Sequence, residues 1–380
     1  MVPDIDASVT EYYNHMCKAW GYTSDSASAS GYESVIDRLK ILCPDSWAIA
    51  NDLDKTHIEN EIFEIYRAIN IIPITYYSMQ GCIDEIKSIN SKIPKLSNNI
   101  LKANNIGQSL CRFWFPNMQS AYTYHDKQIG IGDRFYNDVK LKRAISICLK
   151  YKRTVLPPDL RSALSLVGGN MIQNFKPMHA RAIYEYICPI FQGKLLDFSS
   201  GYGGRMLGAM TSNLKFQYTG IEPNTETYTA LSALGSIISS VNGNKYSVLN
   251  SVSEEVQLEP NSYDAAFSSP PYFNLEIYCD EPTQCMYRYK DIDRWFEFYV
   301  EPTLKMLHTS LGNYGIYAVN IADYAIEKNQ FKIVDRWLEL SRKLKFEHVD
   351  TLYMPLQSRP GSKNTVNAKK MESIFVFKKT

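Results

Sequence analysis

Residues 195–205 read LLDFSSGYGGR, and this stretch decides the fold. Two leucines run into the acidic residue Asp197, and the turn that follows contains Gly201, Gly203 and Gly204. A hydrophobic strand that ends in a glycine-rich turn before a helix lets a ligand approach bare backbone at the helix N-terminus. The stretch therefore predicts a cofactor site at the end of a strand in an α/β fold.

The chain around this stretch alternates strand and helix patterns from residue 170 to the C-terminus. Predicted strands lie at 194–198, 216–221, 245–249, 263–268, 315–321, 346–354 and 373–377, and the clearest helical periodicities lie at 225–238, 292–308 and 331–344. Such alternation predicts a mostly parallel sheet covered by helices on both faces. Only a loop separates the last two strands, so we expect them to pair antiparallel at one edge of the sheet.

The first part of the chain has helical rather than alternating patterns. Apolar residues recur at helical spacing in 57–69 and 141–149, and Pro157 begins a third helical segment. Because 380 residues exceed the usual size of a single core, we predict two domains, a mainly helical one at 1–165 and an α/β one at 166–380.

Two short segments of the N-terminal part have less regular patterns. Residues 24–31 are small and polar, which predicts a loop. The aromatic cluster 113–116 lies beside Arg112 and could stack on bases, but such clusters are more often core, and core is the interpretation we favour.

Composition excludes several classes of protein. Hydrophobic residues make up 45% and charged residues 21%, as in folded globular proteins, and the net charge of +1 means that a polyanion would have to be met by a local patch. The segment 140–153, with six Lys or Arg and no acid, is one candidate. No apolar run approaches a membrane span and the N-terminus is acidic, so we expect a cytoplasmic protein that does not bind membranes. Eight scattered cysteines and isolated histidines predict neither zinc nor disulfides.

A second stretch, residues 267–272, reads FSSPPY and ends the predicted strand 263–268. Two consecutive prolines force an extended chain that can neither continue the strand pairing nor enter a helix. The carbonyls of Ser269 and Pro270 are therefore expected to point out of secondary structure.

Together the two stretches resemble motifs I and IV of the S-adenosylmethionine-dependent methyltransferases that modify exocyclic amino groups of nucleic-acid bases. The resemblance covers roughly residues 174–379, and 174–178 is similar to motif X. It implies a seven-stranded Rossmann-like methyltransferase sheet, S-adenosyl-L-methionine as cofactor and no metal. By position, the implied cofactor-binding residues are Phe175, Pro177, Asp197, Ser199, Gly201, Gly203, Glu222 and Ser251, and the implied catalytic residues are Ser269, Pro270, Pro271 and Tyr272.

Several of these residues have specific expected roles at the cofactor. Glu222 would accept the two ribose hydroxyls, Asp197 would meet the methionine amino group directly or through water, and Ser251 would lie near the adenine. A dinucleotide fingerprint would have its third glycine at Met206, which argues against a nicotinamide or flavin site.

The residues after the predicted strand 263–268 indicate which chemical group accepts the methyl group. An exocyclic amine is a poor nucleophile. Hydrogen bonds from its two hydrogens to the Ser269 side chain and the Pro270 carbonyl would stabilise the positive charge that develops on the nitrogen as the methyl group is transferred. Tyr272 would stack on a flipped base. Tyr272 stands where a carbon-methylating enzyme with a covalent intermediate would need a cysteine, and Cys279 and Cys285 lie well outside the turn, so that class is excluded.

The resemblance also sets expectations for the target. Serine before the prolines favours N4 of cytosine over N6 of adenine in double-stranded DNA, in an orphan enzyme or one related to restriction-modification systems. Residues 320–324 would edge the target pocket, the basic loop 357–363 would contact the DNA backbone, and the N-terminal domain would recognise the target. Two alternatives stay open: an RNA base methyltransferase, for example at guanine N2, and a catalytically silent nucleic-acid-binding subunit of the same fold.

Overall fold

The structure is a computed structural model that describes residues 6–22, 29–42, 44–102, 104–123, 129–151, 153–168, 172–326, 329–355 and 371–380. The predicted basic loop 357–363 lies outside these residues. Of the predicted loop 24–31, residues 24–28 also lie outside them, and 29–31 begin a helix instead.

The N-terminal part is mainly helical. Its α-helices are α1 (Ala7–Ala19), α2 (Ala29–Ile41), α3 (Pro44–Ile49), α4 (Asp52–Ile69), α5 (Met79–Asn90), α6 (Gln108–Trp114), α7 (Ile131–Tyr136), α8 (Asp138–Lys150) and α9 (Pro157–Leu166). A 3₁₀ turn (Pro116–Gln119) and the short strands β1 (Leu96–Ser97), β2 (Ile100–Leu101) and β3 (Tyr122–Thr123) lie among them.

The second part alternates strands and helices. Its strands are β4 (Lys194–Asp197), β5 (Gln217–Ile221), β6 (Tyr246–Leu249), β7 (Tyr263–Ser268), β8 (Glu276–Ile277), β9 (Leu311–Asn320), β10 (Tyr324–Ile326), β11 (Asn329–Phe331), β12 (Phe346–Pro355) and β13 (Met371–Lys379). Its helices are α10 (Pro177–Ile187), α11 (Gly204–Met210), α12 (Thr225–Asn242), α13 (Cys285–Arg288), α14 (Ile292–Trp295), α15 (Glu301–Ser310) and α16 (Val334–Lys343).

The main sheet has the strand order β1-β2-β12-β13-β9-β7-β4-β5-β6. Strands β6, β5, β4, β7 and β9 are parallel, and β13 is antiparallel to both β9 and β12. Each of the seven predicted strands is present, and the last two pair antiparallel as expected. The predicted Rossmann-like methyltransferase fold is therefore confirmed by the strand order itself.

The order of the strands reverses between β4 and β7. From β4 the chain adds β5 and then β6 on one side, whereas β7 and β9 lie on the other. In an open α/β sheet, such a reversal leaves a crevice at the carboxyl ends of the two central strands, where ligands bind. Both diagnostic stretches of the sequence lie at this position.

The segment 292–308, predicted as one helix, contains a π-helical turn. α14 runs into a π turn at Phe296–Val300 before α15 begins. Pro302 lacks the N–H that would bond to the Phe298 carbonyl, and the hydroxyl of Tyr289 donates to that carbonyl instead, at 3.4 Å. Proline thus explains why the helix widens here.

A hairpin from the N-terminal part extends the sheet beyond the seven predicted strands. Asn98 and Asn99 have φ values of 50° and 59°, the left-handed conformation of a two-residue hairpin turn. β2 then lies parallel to β12, and the Asn99 carbonyl accepts from the Tyr353 amide at 2.7 Å. The sheet of nine strands therefore contains residues from both predicted domains.

One hydrophobic cluster also crosses the predicted boundary at 165/166. It extends from Val9 in α1 to Val376 in β13 and includes the side chains of α10, α11 and α12. α1 and α5 pack on α12, and α6 packs on α11. Phe113, Trp114 and Phe115 are fully buried in this cluster, which confirms them as core. The division into two domains stays a prediction.

The opposite face of the sheet has its own cluster, which includes Trp295 of α14, Leu304 of α15 and Trp337 of α16. None of the described helices combines the length and the apolar character that a membrane span requires.

Candidate functional site

The ends of β4 and β7 are joined by a direct hydrogen bond. Ser268, the last residue of β7, donates from Oγ to Oδ1 of Asp197, the last residue of β4, at 2.8 Å. Parallel strands place their carboxyl ends at the same edge of the sheet, so residues 71 positions apart in sequence meet here. The structure therefore brings together the glycine-rich stretch 195–205 and the SSPPY stretch, residues 268–272.

Asp197 is buried beneath the turn rather than exposed in it. Its Oδ2 accepts from Arg205 Nε and from the Tyr218 hydroxyl, both at 2.9 Å, and its side chain is fully buried. Burial alone would lower the pKa of Arg205, but the Asp197 carboxylate raises it above its ordinary value. In this arrangement Asp197 anchors the strand ends, and its predicted contact with a methionine amino group stays a prediction.

The glycine turn needs glycine for two different reasons. Gly201 and Gly203 have φ values of 57° and 74°, a conformation that side chains rarely adopt. A Cβ on Gly204 would lie 1.9 Å from the Phe175 carbonyl oxygen, so Gly204 allows two backbone segments to approach. Around Gly201, by contrast, the only described atom within 4 Å of such a Cβ is Nη2 of Arg205, at 3.8 Å. The turn is therefore tightly packed against the Phe175 backbone at Gly204, whereas the space around Gly201 is nearly free of described atoms.

The predicted motif X segment lies against this turn. Asn174 donates from Nδ2 to the Tyr202 carbonyl at 2.6 Å, and the Phe175 ring packs edge-on against Phe267 with centroids 5.2 Å apart. Pro177 occupies the first turn of α10, where its missing N–H has no cost. Of the two predicted cofactor residues, Phe175 thus contacts both the glycine turn and the end of β7, and Pro177 begins the helix that follows.

Glu222 follows β5 and closes the turn from the neighbouring strand. Its Oε2 accepts from the Gly201 amide at 2.8 Å, and its Oε1 accepts from the Asn224 amide at 3.0 Å. Burial raises the pKa of Glu222 to about 7, despite these two hydrogen bonds. A buried carboxylate with free lone pairs beside an open glycine turn has the chemistry to accept hydroxyl donors.

The end of β6 lies beside Glu222. Asn250 donates from Nδ2 to the Glu222 carbonyl at 3.0 Å, and the Ser251 amide donates to the Leu249 carbonyl at 3.1 Å. The ends of β4, β5 and β6 therefore form one continuous edge, as the parallel pairing requires.

From the end of β7 the chain runs towards β9 through the predicted catalytic residues Ser269, Pro270, Pro271 and Tyr272. The Ser269 hydroxyl donates to Oδ1 of Asn320 at 3.4 Å, and the amide of Asn320 is held by its own bond to the Ser373 carbonyl at 3.1 Å. A hydroxyl whose proton is directed at Asn320 keeps its lone pairs for another donor.

Tyr272 is held by the residues that follow β9. Its hydroxyl donates to the Asn320 carbonyl at 3.4 Å, and its ring meets Tyr324 edge-on with centroids 5.9 Å apart. Residues 320–324, predicted to edge a target pocket, thus make three contacts with Ser269 and Tyr272, two through Asn320 and one through Tyr324.

Sequence reasoning missed two side chains of the site, Tyr299 and Glu372, and included a third, Glu276, only in the segment 273–278, which could line the target pocket, clamp phosphates or be plain packing. Tyr299, in the π turn, shares a hydrogen bond of 3.1 Å with Ser199 and is buried. Glu276 and Glu372 lie near Tyr272, and burial raises the pKa of both carboxyl groups. Periodicity gave no signal for Tyr299, because the π turn shifts the face of the helix, and Glu372 gave none because it is about a hundred residues from Tyr272 in sequence.

Comparisons with known proteins add the following. No protein-family model matches the sequence, and no curated protein is significantly similar to it. Solved structures that match include the cyclase SpnF, at 13% identity over 53% of this chain and 81% of that chain, with a TM-score of 0.38. A TehB-like SAM-dependent methyltransferase from Corynebacterium glutamicum matches at 14% identity over 62% of this chain and 98% of its own, with a TM-score of 0.34.

A third matching structure is 1,6-didemethyltoxoflavin-N1-methyltransferase from Burkholderia thailandensis with bound S-adenosylhomocysteine. It matches at 15% identity over 54% of this chain and 78% of that chain, with a TM-score of 0.35. At these TM-scores the fold of this protein rests on its own strand order, and its chemistry has to be argued from the residues described above.

Proposed function

We propose that this protein transfers a methyl group from S-adenosyl-L-methionine to the exocyclic amino group of a DNA base, with N4 of cytosine ahead of N6 of adenine. The observation that carries the proposal is the hydrogen bond of 2.8 Å between Asp197 and Ser268. This bond holds the glycine turn, which is of the kind that binds a cofactor, beside the SSPPY segment, which is of the kind that binds an exocyclic amine. Both lie where the strand order reverses between β4 and β7.

The residues around the glycine turn suit S-adenosylmethionine. Glu222 would accept the ribose hydroxyls with the lone pairs that Gly201 and Asn224 leave free, and Ser251 would lie along the adenine. Phe175 and Pro177 would pack against the methionine end. When bound, the cofactor supplies an electrophilic methyl group on a sulfonium.

Asp197 and Ser199 would act mainly by holding the site in shape. Asp197 fixes Arg205 and Ser268, and Ser199 is tied to Tyr299 of the π turn. Preorganised polar groups need no rearrangement when charge develops, which is how such sites lower a reaction barrier.

The SSPPY segment would hold the amine. Ser269, its proton directed to Asn320, would accept one amine hydrogen, and the Pro270 carbonyl would accept the other. The amine lone pair would take the methyl group, S-adenosylhomocysteine would leave with the former carbon–sulfur bonding pair on its sulfur, and one proton of the alkylated nitrogen would pass to solvent water. Pro271 keeps the segment extended and Tyr272 would stack on the base, so no covalent bond to the enzyme is required.

The proposal is tested by incubating the protein with a methyl-labelled donor and separate DNA and RNA samples, followed by digestion and identification of the labelled nucleoside. N4-methylcytosine or N6-methyladenine from DNA would support it, and label only in RNA would move the reaction to the alternative polymer. 5-Methylcytosine would refute the amine mechanism. Cofactor binding without any transfer would favour the silent-subunit alternative.

A further inference from the structure

Residues 273–289, which follow the SSPPY stretch, form a segment that we call the strap. Near its start, Asn274 accepts at Oδ1 from the Tyr324 hydroxyl at 3.3 Å, and the Phe273 ring lies 6.3 Å from that of Phe331. Both partners belong to β10 and β11, the hairpin that follows β9. The strap therefore begins on the β9 side of the site.

The middle of the strap lies against the glycine turn that follows β4. The Tyr278 ring meets Tyr202 edge-on with centroids 6.1 Å apart, and the other neighbour of the Tyr202 ring is Phe115, at 6.0 Å. β8, within the strap, pairs antiparallel with β3. The strap is thus held both by the turn and by the N-terminal part of the chain.

The far end of the strap contacts residues that follow β5 and β6. Thr225, the first residue of α12, donates to Glu281 from its amide at 3.1 Å and from its hydroxyl at 3.4 Å. Arg288 Nε lies 3.3 Å from Oε1 of Glu254, and the Tyr289 hydroxyl donates to the same carboxylate. From β9 to β6, the strap therefore crosses the whole carboxyl edge of the parallel strands.

The contacts of the strap lie close to the predicted cofactor residues. In sequence, its partners and those residues are neighbours or three positions apart: Tyr202 follows Gly201, Thr225 follows Glu222, and Glu254 follows Ser251. The space around Gly201 is nearly free, since only Nη2 of Arg205 among the described atoms lies within 4 Å of a Cβ built there. A ligand in this space is bordered by the strand ends and by the strap.

The contacts of the strap differ in how easily they can break. Phe273 and Ile277 are each only 7% exposed, whereas Thr225 is exposed and its bonds to Glu281 lie at the surface. A carboxylate at a helix N-terminus is stabilised by the helix dipole, but water competes with it at an exposed position. Phe273 has a φ of 41°, and bulky residues in this conformation are typical of switch regions. The strap thus has a surface latch at Glu281 and a strained residue at its start.

We propose that the strap gates the cofactor site and that Glu281 is the positioning residue that latches it to α12. Lids are held by contacts of low stability, which lets them open often enough to exchange ligands. The inference rests on the cofactor of the proposed function and is independent of which base is methylated. Because the strap starts at the SSPPY stretch, a closed strap would also hold the acceptor residues beside the methyl donor.

The first test follows the binding of S-adenosyl-L-methionine to the full chain by stopped-flow tryptophan fluorescence. Glu281→Ala removes the latch, and the rate constants for association and dissociation should both rise about tenfold, as expected for the loss of hydrogen bonds to a charged group. The carboxylate bonds to Thr225 and Thr283, neither of which is a predicted cofactor residue, so Kd should stay unchanged. Glu281→Gln keeps an acceptor and should restore most of the wild-type behaviour.

A second variant removes the same latch from the other side. Thr225→Pro deletes the amide that donates to Glu281, and proline is well tolerated at the first position of a helix. It should accelerate both steps as Glu281→Ala does, and the double variant should be no faster than either, because the two residues share one interaction. Asp138→Ala, which removes an exposed carboxylate from the first turn of α8, is the control and should match the wild type.

The kinetic outcomes distinguish a gate from other roles. Unchanged rate constants in Glu281→Ala and Thr225→Pro would make the strap a fixed wall and overturn the gate. Faster dissociation with unchanged association, and hence a weaker Kd, would make Glu281 part of the cofactor site and would overturn the latch as well.

The second test measures amide hydrogen exchange by mass spectrometry in the absence of any methyl acceptor. Peptides from residues 273–284 should exchange faster in Glu281→Ala than in the wild type, and S-adenosylhomocysteine should slow their exchange in the wild type. Peptides from α8 should exchange equally in both proteins. Exchange of the strap that responds neither to the substitution nor to the ligand would contradict the proposal.

These measurements separate failure of the strap from failure of the proposed function. A wild type that binds the cofactor and shows the gate but methylates no DNA would contradict the proposed function alone. Methylation of DNA by a protein whose latch variants have wild-type rate constants would contradict the strap alone. A wild type without measurable cofactor binding would overturn both.

Discussion

At the scale of single residues, Asp197 connects the two halves of the site. It pairs with Arg205 while fully buried, so Asp197→Asn leaves a buried guanidinium without its counter-charge. Breaking such a pair costs roughly 3–5 kcal/mol, and we expect the free energy of unfolding to fall by that amount in urea titrations.

A surface aspartate provides the matched control for this change. Asp293 pairs with Arg336, but its side chain is 80% exposed. Asp293→Asn should therefore lower the free energy of unfolding by less than about 1 kcal/mol. Similar losses for the two variants would show that Asp197 has no special structural role.

Ser269 is the residue that the proposed mechanism uses most directly. Ser269→Ala removes an acceptor that acts only as charge develops, so kcat should fall roughly 100- to 1000-fold while the calorimetric Kd for the cofactor stays unchanged. Ser262→Ala, at the other end of β7, removes a similar hydroxyl and should keep full turnover. An unchanged rate in Ser269→Ala would remove this serine from the chemistry.

Glu222 makes cofactor binding dependent on pH. Its pKa of about 7 means that the ionised form, which accepts hydroxyl donors best, is minor at low pH. The affinity for S-adenosylmethionine should rise about tenfold from about pH 6 to about pH 8, in proportion to the ionised fraction. Glu222→Gln should bind S-adenosylmethionine more weakly, with an affinity that does not change with pH. As the control, Glu259→Gln, at an exposed position, should match the wild type. A wild-type affinity that does not change with pH would contradict the role of Glu222.

The same carboxyl group should influence stability with the opposite trend. A carboxyl whose folded pKa lies above its unfolded value contributes stability that is fully present below the unfolded pKa and is lost as pH rises through the folded pKa. Relative to Glu222→Gln, the cofactor-free wild type should therefore lose stability as pH rises towards 7.

At the scale of elements, the glycine turn and the motif X segment depend on close backbone contact. A Cβ at position 204 would lie 1.9 Å from the Phe175 carbonyl, so Gly204→Ala must push the two segments apart. We expect a loss of about 1–3 kcal/mol in stability and weaker cofactor binding, measured by urea unfolding and calorimetry.

Gly312→Ala is the control for that steric change. Its Cβ would meet the Tyr263 carbonyl at 3.6 Å, an ordinary contact distance. Both stability and cofactor affinity should remain close to wild type. If Gly204→Ala behaved in the same way, the packing of the turn against residues 174–177 would not be needed for the site.

The elements themselves were the part of the structure that the sequence predicted best. All seven main strands were identified, the five parallel ones because buried parallel strands are short apolar runs bounded by turns, as at 263–268. The helix at 292–308 was located but its π turn was not, because the periodicity of apolar residues does not reveal how Pro302 redistributes backbone hydrogen bonds. Strands β1 and β2 were missed, since two residues are too few to give a pattern.

At the scale of the whole molecule, one hydrophobic cluster extends across the predicted boundary at 165/166. The cluster that contains Val9 also contains Val376, and β2 pairs with β12. We expect a fragment of residues 166–380 to expose the faces of α11 and α12, and so to aggregate or to unfold without cooperativity. Size-exclusion chromatography and thermal melts of the fragment measure this, with the full chain as control.

The opposite outcome would be equally clear. A monomeric fragment that melts cooperatively and binds S-adenosylmethionine with the affinity of the full chain would establish 166–380 as an independent domain. The N-terminal part would then be needed neither for the folding of residues 166–380 nor for cofactor binding.

The amino-acid sequence alone predicted the α/β fold, the two strand ends and the type of residue at each of them. It could do so because turn chemistry is local: glycine allows positive φ, and consecutive prolines end a strand. Only the tertiary structure decided which groups share hydrogen bonds, because contacts such as Asp197 with Ser268 or Ser269 with Asn320 depend on strand order and register.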